Sequence, residues 1–331
     1  MSNIRATITG IEAFLPDYVL TNEELSRMVD TSDEWIMQRI GIKTRHILKD
    51  KNLGTSYMGA EAVKKLFAKT GTSPNEIDLV VVGTVTPDHA FPNTACIIAD
   101  KVGIKNAWAF DISAACSGFL YSMQTVSQFI MGGRYKKALL ITGDKMSSIV
   151  NYADRNTCCL FGDAAVAMLI EPTTEDIGLV DHIFQSDGSG RQYLYLAAGG
   201  SACPPSHETI DAGLHYVHQD GQPVFKAAVS KMGDVATAMM EKHNITPDDL
   251  AWLVPHQANL RIIEATGRRM GLDKEKVMVN IERYGNTTAA TIPLCLWDWE
   301  KQLKKGDKLI FAAFGGGFTW GSIYYKWGYN S

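Results

Sequence analysis

SPNEIDLVVVG at 73–83 and TPDDLAWLVPH at 246–256 share one pattern: a Ser/Thr-Pro-acid start, an apolar residue, then a run long enough for a buried strand. Two further matches follow in the same order. FDISAACSGF at 110–119 pairs with NIERYGNTTA at 280–289, and KKALLITG at 136–143 pairs with GDKLIFAAFG at 306–315. Three ordered matches at a nearly constant offset point to two similar halves, one alternative being the general likeness of all α/β chains. Cys116 and Asn286 then occupy equivalent strand-to-helix turns. Halves related in this way bring corresponding turns to a shared pseudo-two-fold axis, so Cys116, His256 and Asn286 are expected to converge.

Outward from these segments, short β-branched runs alternate with helical patterns, as in an α/β protein with buried strands. Strands are expected at 79–82, 108–112, 138–142, 164–170, 252–254, 277–281 and 309–314. Helices are expected at 58–69, 117–131, 224–243, 260–270 and 287–303. Phe119, Leu120, Met123, Phe129 and Ile130 recur near helical spacing, and Gly132-Gly133 stops that helix. The division into halves is expected at 1–172 and 173–331.

At 331 residues, 46% hydrophobic and 21% charged, the chain has material for a large core. A net charge of −4 and a pI near 6.1 argue against a whole-protein nucleic-acid binder, while leaving room for a local basic patch. No signal-peptide pattern opens the sequence and no run is apolar enough to span a bilayer, so the cytoplasm is the default expectation. The six cysteines show no CxxC and no zinc-like pairing with histidine; most are expected to be small buried residues in a reducing compartment.

Cys116 lies between an apolar strand and an amphipathic helix, among small residues. A thiol at a helix N-terminus meets unpaired N–H groups and the positive end of the dipole, which favour thiolate and lower its pKa. A buried structural cysteine fits this segment equally well. His256, in WLVPHQANLRII, follows a buried strand at the end where α/β folds present reactive groups, and Asn259 is placed to cap the next helix. The alternative is an ordinary loop histidine. Asn286, in ERYGNTTAAT, suits a turn and cap, but its amide is also able to donate to a developing oxyanion. The glycines of AAFGGGFTWGS (312–322) permit close backbone approach, and one such N–H with that of Cys116 would make an oxyanion hole. The run has neither a Walker lysine nor Rossmann spacing.

Taken together the segments resemble the thiolase-fold condensing enzymes, most closely the β-ketoacyl-acyl-carrier-protein synthase III family. The resemblance covers nearly the whole chain: DTSDEWIMQRIGIKTRHI (30–47), HAFPNTACI (89–97), the cysteine segment, ADRNTCCLFGDAA (153–165), GQPVFKAAV (221–229), VPHQANLRII (254–263), RYGNTTAAT (283–291) and AFGGGFTWGS (313–322). It implies a five-layered αβαβα fold and a Cys-His-Asn triad at Cys116, His256 and Asn286. The implied reaction is a decarboxylative Claisen condensation of a starter acyl-CoA, acetyl-CoA or a similar short chain, with malonyl-acyl-carrier protein. It gives 3-oxoacyl-carrier protein, CO2 and CoA and starts type II fatty acid synthesis. Cys116 would carry the acyl group, with the N–H groups of Cys116 and Gly316 as oxyanion hole; no metal or redox cofactor is implied.

By the same resemblance, Trp35 and Arg155 sandwich the CoA adenine, Thr31 and Arg39 meet its phosphate side, and Gly221 and Asn259 meet the pantetheine arm. Lys226 and Arg261 belong to a patch for the acidic carrier protein, which Arg268 and Arg269 extend. Phe91 reaches the partner subunit's acyl pocket, implying a homodimer. Gln222, Ser117 and the GDAAVA run at 162–167 depart from the commonest family pattern and are expected to bear on pocket shape. Neither a membrane nor a nucleic-acid partner is implied. Relatives with the same triad act in secondary metabolism, and the starter is not legible in the string. A thiolase proper needs a second cysteine that AFGGGFTWGS lacks, and a hydroxymethylglutaryl-CoA-synthase-like enzyme needs an early general-base glutamate with no matching segment. A catalytically silent carrier-protein-binding subunit would have lost the cysteine.

Overall fold

The computed structural model describes residues 4–331. Nine strands form two sheets: β1 (Arg5–Phe14), β2 (Leu79–Gly83), β3 (Trp108–Ile112), β4 (Ala138–Asp144), β5 (Ala164–Thr173), β6 (Gly178–Ser186), β7 (Trp252–Pro255), β8 (Lys308–Gly315) and β9 (Thr319–Lys326). The first sheet runs β1-β5-β4-β2-β3, with β4, β2 and β3 parallel and β5 antiparallel to both its neighbours. The second runs β6-β9-β8-β7, again with one strand, β9, antiparallel to both its neighbours and with β8 and β7 parallel. Sheet order and strand direction are therefore repeated, as the matched segments require. The expected boundary at 172/173 falls at the end of β5; β6 to β9 make the second sheet, and the short strands Leu194–Leu196 and Val217–Gln219 pair with each other in a separate ribbon.

The main helices are α1 (Thr55–Thr70), α2 (Thr94–Lys101), α3 (Gly118–Met131), α4 (Gly221–Lys242), α5 (Leu260–Arg269) and α6 (Thr291–Trp299). α1 and α2 cover the outer face of the first sheet, while α4 packs on the second and carries α5. Between the sheets lies α3, which touches strands of both, with α6 beside it. That ordering is the five-layered αβαβα arrangement. The central layer is the most apolar: Phe119, Leu120, Met123, Val126 and Ile130 of α3 are sealed against Phe311, Ile323 and Tyr325 of the second sheet. A helix apolar on this much of its circumference is stable only where protein covers both sides. All residues of β2 are buried, as expected of a parallel strand covered on both faces.

Two expectations need correction. Residues 277–281 do not form a strand: beside β7 there is only a single parallel bridge, Leu253 to Val277, and a short helical turn starts at Ile281. The cause is Gln257, fully buried just beyond β7. Its amide nitrogen donates to the carbonyls of Pro255 (2.8 Å) and Met278 (3.1 Å), and its oxygen accepts from the N–H groups of Asn280 and Ile281. One side chain thus takes the backbone groups that a fifth strand would have paired. The helix expected at 287–303 begins instead at Thr291, after a 3-10 turn at Thr288–Ala290, and ends at Trp299. The strands β1, β6 and β9 were not among those expected. Their sequences mix glycine, acids and aromatics and lack the uniform β-branched run that marks β2.

Candidate active site

Cys116 sits in a 3-10 turn, Ala115–Ser117, between β3 and α3. Ala115 is held at φ 45°, a left-handed conformation costing a non-glycine residue about 1–3 kcal/mol. The turn is braced from the other half. The Ser117 hydroxyl donates to the Thr319 carbonyl at 3.1 Å, and Gly315 packs backbone against backbone. A Cβ at Gly315 would lie 2.8 Å from the Cys116 nitrogen, so only glycine allows β8 to end here. The next N–H, that of Gly316, has no protein acceptor among the described residues, and Gly316 lines a cavity together with Cys116.

His256 follows the last residue of β7, with its N–H donating to the Ala312 carbonyl at 2.8 Å. Its side chain is 1% exposed, and Nδ1 lies 2.7 Å from the Thr291 hydroxyl. Asn286 is clipped to the first half by its backbone: its N–H donates to Leu160, and its carbonyl accepts from Gly162. Gly285, at φ 66°, makes this approach possible, because a Cβ there would meet the Leu160 carbonyl oxygen at 2.8 Å. The Asn286 Oδ1 accepts from the Thr288 N–H at 2.9 Å, which settles the amide orientation and leaves Nδ2 free to hydrogen-bond the Cys116 sulfur. Thr288 is itself left-handed (φ 50°), and its hydroxyl donates to Asp144 at the end of β4. The other oxygen of Asp144 accepts from Thr84, Val85 and Thr86.

The electrostatics of this site depart from the expected reactive thiolate. Burial, reinforced by the nearby Asp144 charge, pushes the Cys116 thiol up to about 12, against a smaller opposite pull from the Asn286 hydrogen bond. The helix N-terminus does not overcome this, because α3 begins two residues later and burial is the larger effect. Burial also lowers His256 to about 3, so its imidazole is neutral.

Cys116, His256 and Asn286 line one cavity of about 590 Å³. Trp35, Arg39, Arg155, Gly221 and Asn259 line the same cavity. The Arg155 guanidinium lies 5.3 Å from the Trp35 ring centroid and donates to the Asp30 carbonyl. Asn259 caps α5 through the Arg261 N–H and donates to the Arg39 carbonyl, so its side chain holds the mouth together. Thr31 stands apart: its hydroxyl is buried without a hydrogen-bond partner, and it lies outside the cavity lining. A second cavity that also reaches Cys116, about 270 Å³, is walled mainly by apolar side chains including Val85, Met146, Ile149, Phe161, Leu196 and Val217.

Lys226 on α4 and Arg261 on α5 are exposed, and Arg261 lies over the ring of Phe225, a cavity residue. Among the described residues neither has an acidic partner, whereas Arg268 pairs with Glu264 and Arg269 with Asp234. Phe91 is 87% exposed on the loop before α2. The departures expected to shape the pocket lie elsewhere: Gln222, Ser117 and residues 162–167 are outside both linings, and the alanines of β5 are sealed in its core. Four buried polar residues around the site, Asp144, Gln257, Thr288 and Thr291, were not singled out from the sequence. Their only signal there is a polar residue embedded in an otherwise small or apolar segment.

Two family models match the chain: 3-oxoacyl-[acyl-carrier-protein (ACP)] synthase III over residues 110–188, and the C-terminal part of the same enzyme over residues 240–327. A β-ketoacyl-[acyl-carrier-protein] synthase III from Bacteroides thetaiotaomicron is 59% identical over 330 residues, covering 100% of this chain and 98% of that protein. Among solved structures, the 3-oxoacyl-[acyl-carrier-protein] synthase III of Aquifex aeolicus superposes with a TM-score of 0.89 at 38% identity, covering 97% of this chain and 100% of the other. The corresponding enzyme of Pseudomonas aeruginosa gives 0.90 at 36% identity, with 99% of each chain covered.

Proposed function

Because this chain belongs to the 3-oxoacyl-[acyl-carrier-protein] synthase III family of acyltransferase condensing enzymes, we propose that it starts fatty acid synthesis through an acyl thioester on Cys116. A short starter acyl-CoA enters past Trp35 and Arg155, and the Cys116 sulfur attacks its carbonyl. The N–H groups of Cys116 and Gly316 hold the tetrahedral oxyanion. The thiol proton leaves with CoA, and the acyl chain lodges in the second, apolar cavity that reaches Cys116. Malonyl-carrier protein then brings its thioester down the same cavity. Nε2 of His256 and Nδ2 of Asn286 donate to the malonyl carbonyl, stabilising the enolate as CO2 departs. The carbanion attacks acyl-Cys116 and releases 3-oxoacyl-carrier protein. The sequence of steps calls for neither metal nor redox cofactor.

The observation that carries this reading is the meeting of a thiol, a neutral imidazole and a donor-oriented carboxamide on one cavity. Burial explains why the cysteine carries the acyl group: a thiolate is penalised there, while an uncharged thioester is not. Exposed Lys226 and Arg261 beside the mouth suit docking of an acidic carrier protein, and exposed Phe91 suits insertion into a partner subunit. Among the described residues no helix is long and apolar enough to cross a membrane.

Acyl loading from acetyl-CoA, read by intact mass, and malonyl-carrier-protein decarboxylation, read by CO2 release, separate the roles. Cys116→Ala is expected to abolish loading and condensation. His256→Ala and Asn286→Ala keep loading and lose decarboxylation by roughly 10²–10³-fold, the usual cost of one preorganised donor. Full decarboxylation in both would remove their assigned role.

A further inference from the structure

A neutral imidazole has one proton and two nitrogens, and only the Nε2–H tautomer donates toward the cavity. What selects the tautomer is the group facing Nδ1. Here that group is the hydroxyl of Thr291, 2.7 Å away; among the described residues neither ring nitrogen has another hydrogen-bond partner. We propose that Thr291 is a positioning residue whose hydroxyl donates its proton to Nδ1 of His256 and so fixes the ring as the Nε2–H tautomer.

The hydroxyl has a single proton and two neighbours, Nδ1 at 2.7 Å and the Thr288 carbonyl at 3.1 Å. That carbonyl already accepts the backbone N–H of Thr291, in the 3-10 turn that opens α6. Turning the hydroxyl toward it would give a second, longer bond to a satisfied acceptor. Two arrangements fill the Nδ1 contact: the hydroxyl donates to Nδ1, or a protonated Nδ1 donates to the hydroxyl while the hydroxyl donates to the Thr288 carbonyl. Only the first leaves Nε2 with the proton that the proposed donation to the malonyl carbonyl requires. Thr291 is held there: it is 2% exposed, is the first residue of α6, and is β-branched, which restricts its rotamer. The same short segment therefore orients both donors, since the Thr288 N–H turns the Asn286 amide and the Thr291 hydroxyl sets the His256 proton. With Nε2 protonated, His256 is unable to take the Cys116 thiol proton, so loading proceeds without it.

This inference rests on the proposed donor role of His256, and two readouts keep them separate. Nitrogen-15 NMR of histidine-labelled full-length enzyme reads the tautomer without any turnover. The expected result is a pyrrole-type Nε2 and a pyridine-type Nδ1; the reverse assignment overturns the proposal, whatever the activity. In Thr291→Val the tautomer is released: decarboxylation is expected to fall at least about tenfold while acyl loading stays within about twofold, and Thr291→Ser restores both the tautomer and the rate. Unchanged decarboxylation in a folded Thr291→Val overturns it as well. Should the valine variant fail to fold, Thr291→Ala is read in the same two assays, and the wild-type spectrum decides. Full decarboxylation in His256→Ala would instead remove the donor role itself, with the tautomer still read independently.

Discussion

Cys116 joins two opposed demands. In the proposed reaction it must become nucleophilic, yet it is buried beside Asp144, and both raise its pKa, to about 12. Thiolate is consequently scarce in the empty site, and its fraction climbs through the whole accessible pH range. Alkylation of Cys116 by iodoacetamide is expected to accelerate about tenfold per pH unit from pH 7 to pH 9. A plateau near neutrality would mean that the helix N-terminus outweighs burial after all. The meeting of Cys116, His256 and Asn286 on one cavity was legible because each stands in a long motif at a strand-to-helix turn or strand end. Their supports were not. Thr288 reaches Asp144 across 144 positions and Thr291 reaches His256 across 35. Threonine in a segment as bland as TTAAT carries no mark of a partner so distant.

Elements that repeat between the halves were read correctly where the strands are apolar throughout, as in 79–82 against 252–254. The failure at 277–281 is instructive because the residues there have strand character. What prevents a strand is a side chain from elsewhere: Gln257 uses its whole hydrogen-bonding capacity on four backbone groups. Gln257→Leu keeps the volume and strands those groups in a dry interior, at about 1–3 kcal/mol each when left unpaired. A loss of about 3 kcal/mol or more in urea denaturation is expected, with local collapse offsetting the rest. Loss below about 1 kcal/mol would show that water or the backbone replaces the amide.

At the scale of the whole molecule, burial of His256 links the site to global stability. Above its ordinary value of 6.5 the imidazole is neutral in both folded and unfolded chains. Between 6.5 and about 3, only the unfolded chain takes up the proton, so folding weakens as pH falls, by about 1.4 kcal/mol per unit at most. Asp144 and Asp163, whose burial raises their pKa values, contribute with the opposite sign. Comparing the melting temperature of wild type and His256→Gln from pH 7 to pH 4.5 isolates the histidine. The wild-type curve is expected to fall more steeply, and parallel curves would exclude the linkage. The duplicated architecture was visible in the string because both halves kept their apolar parallel strands. Strands β1, β6 and β9 were hidden by mixed composition.

The clip between Asn286 and residues 160–162 has a mechanical meaning. Although the carboxamide belongs to the second lobe by chain order, its backbone is fastened to the first, the lobe that holds the sulfur. Amide and sulfur are therefore passengers on the same platform. Any shift of one lobe against the other would thereby leave their separation unchanged.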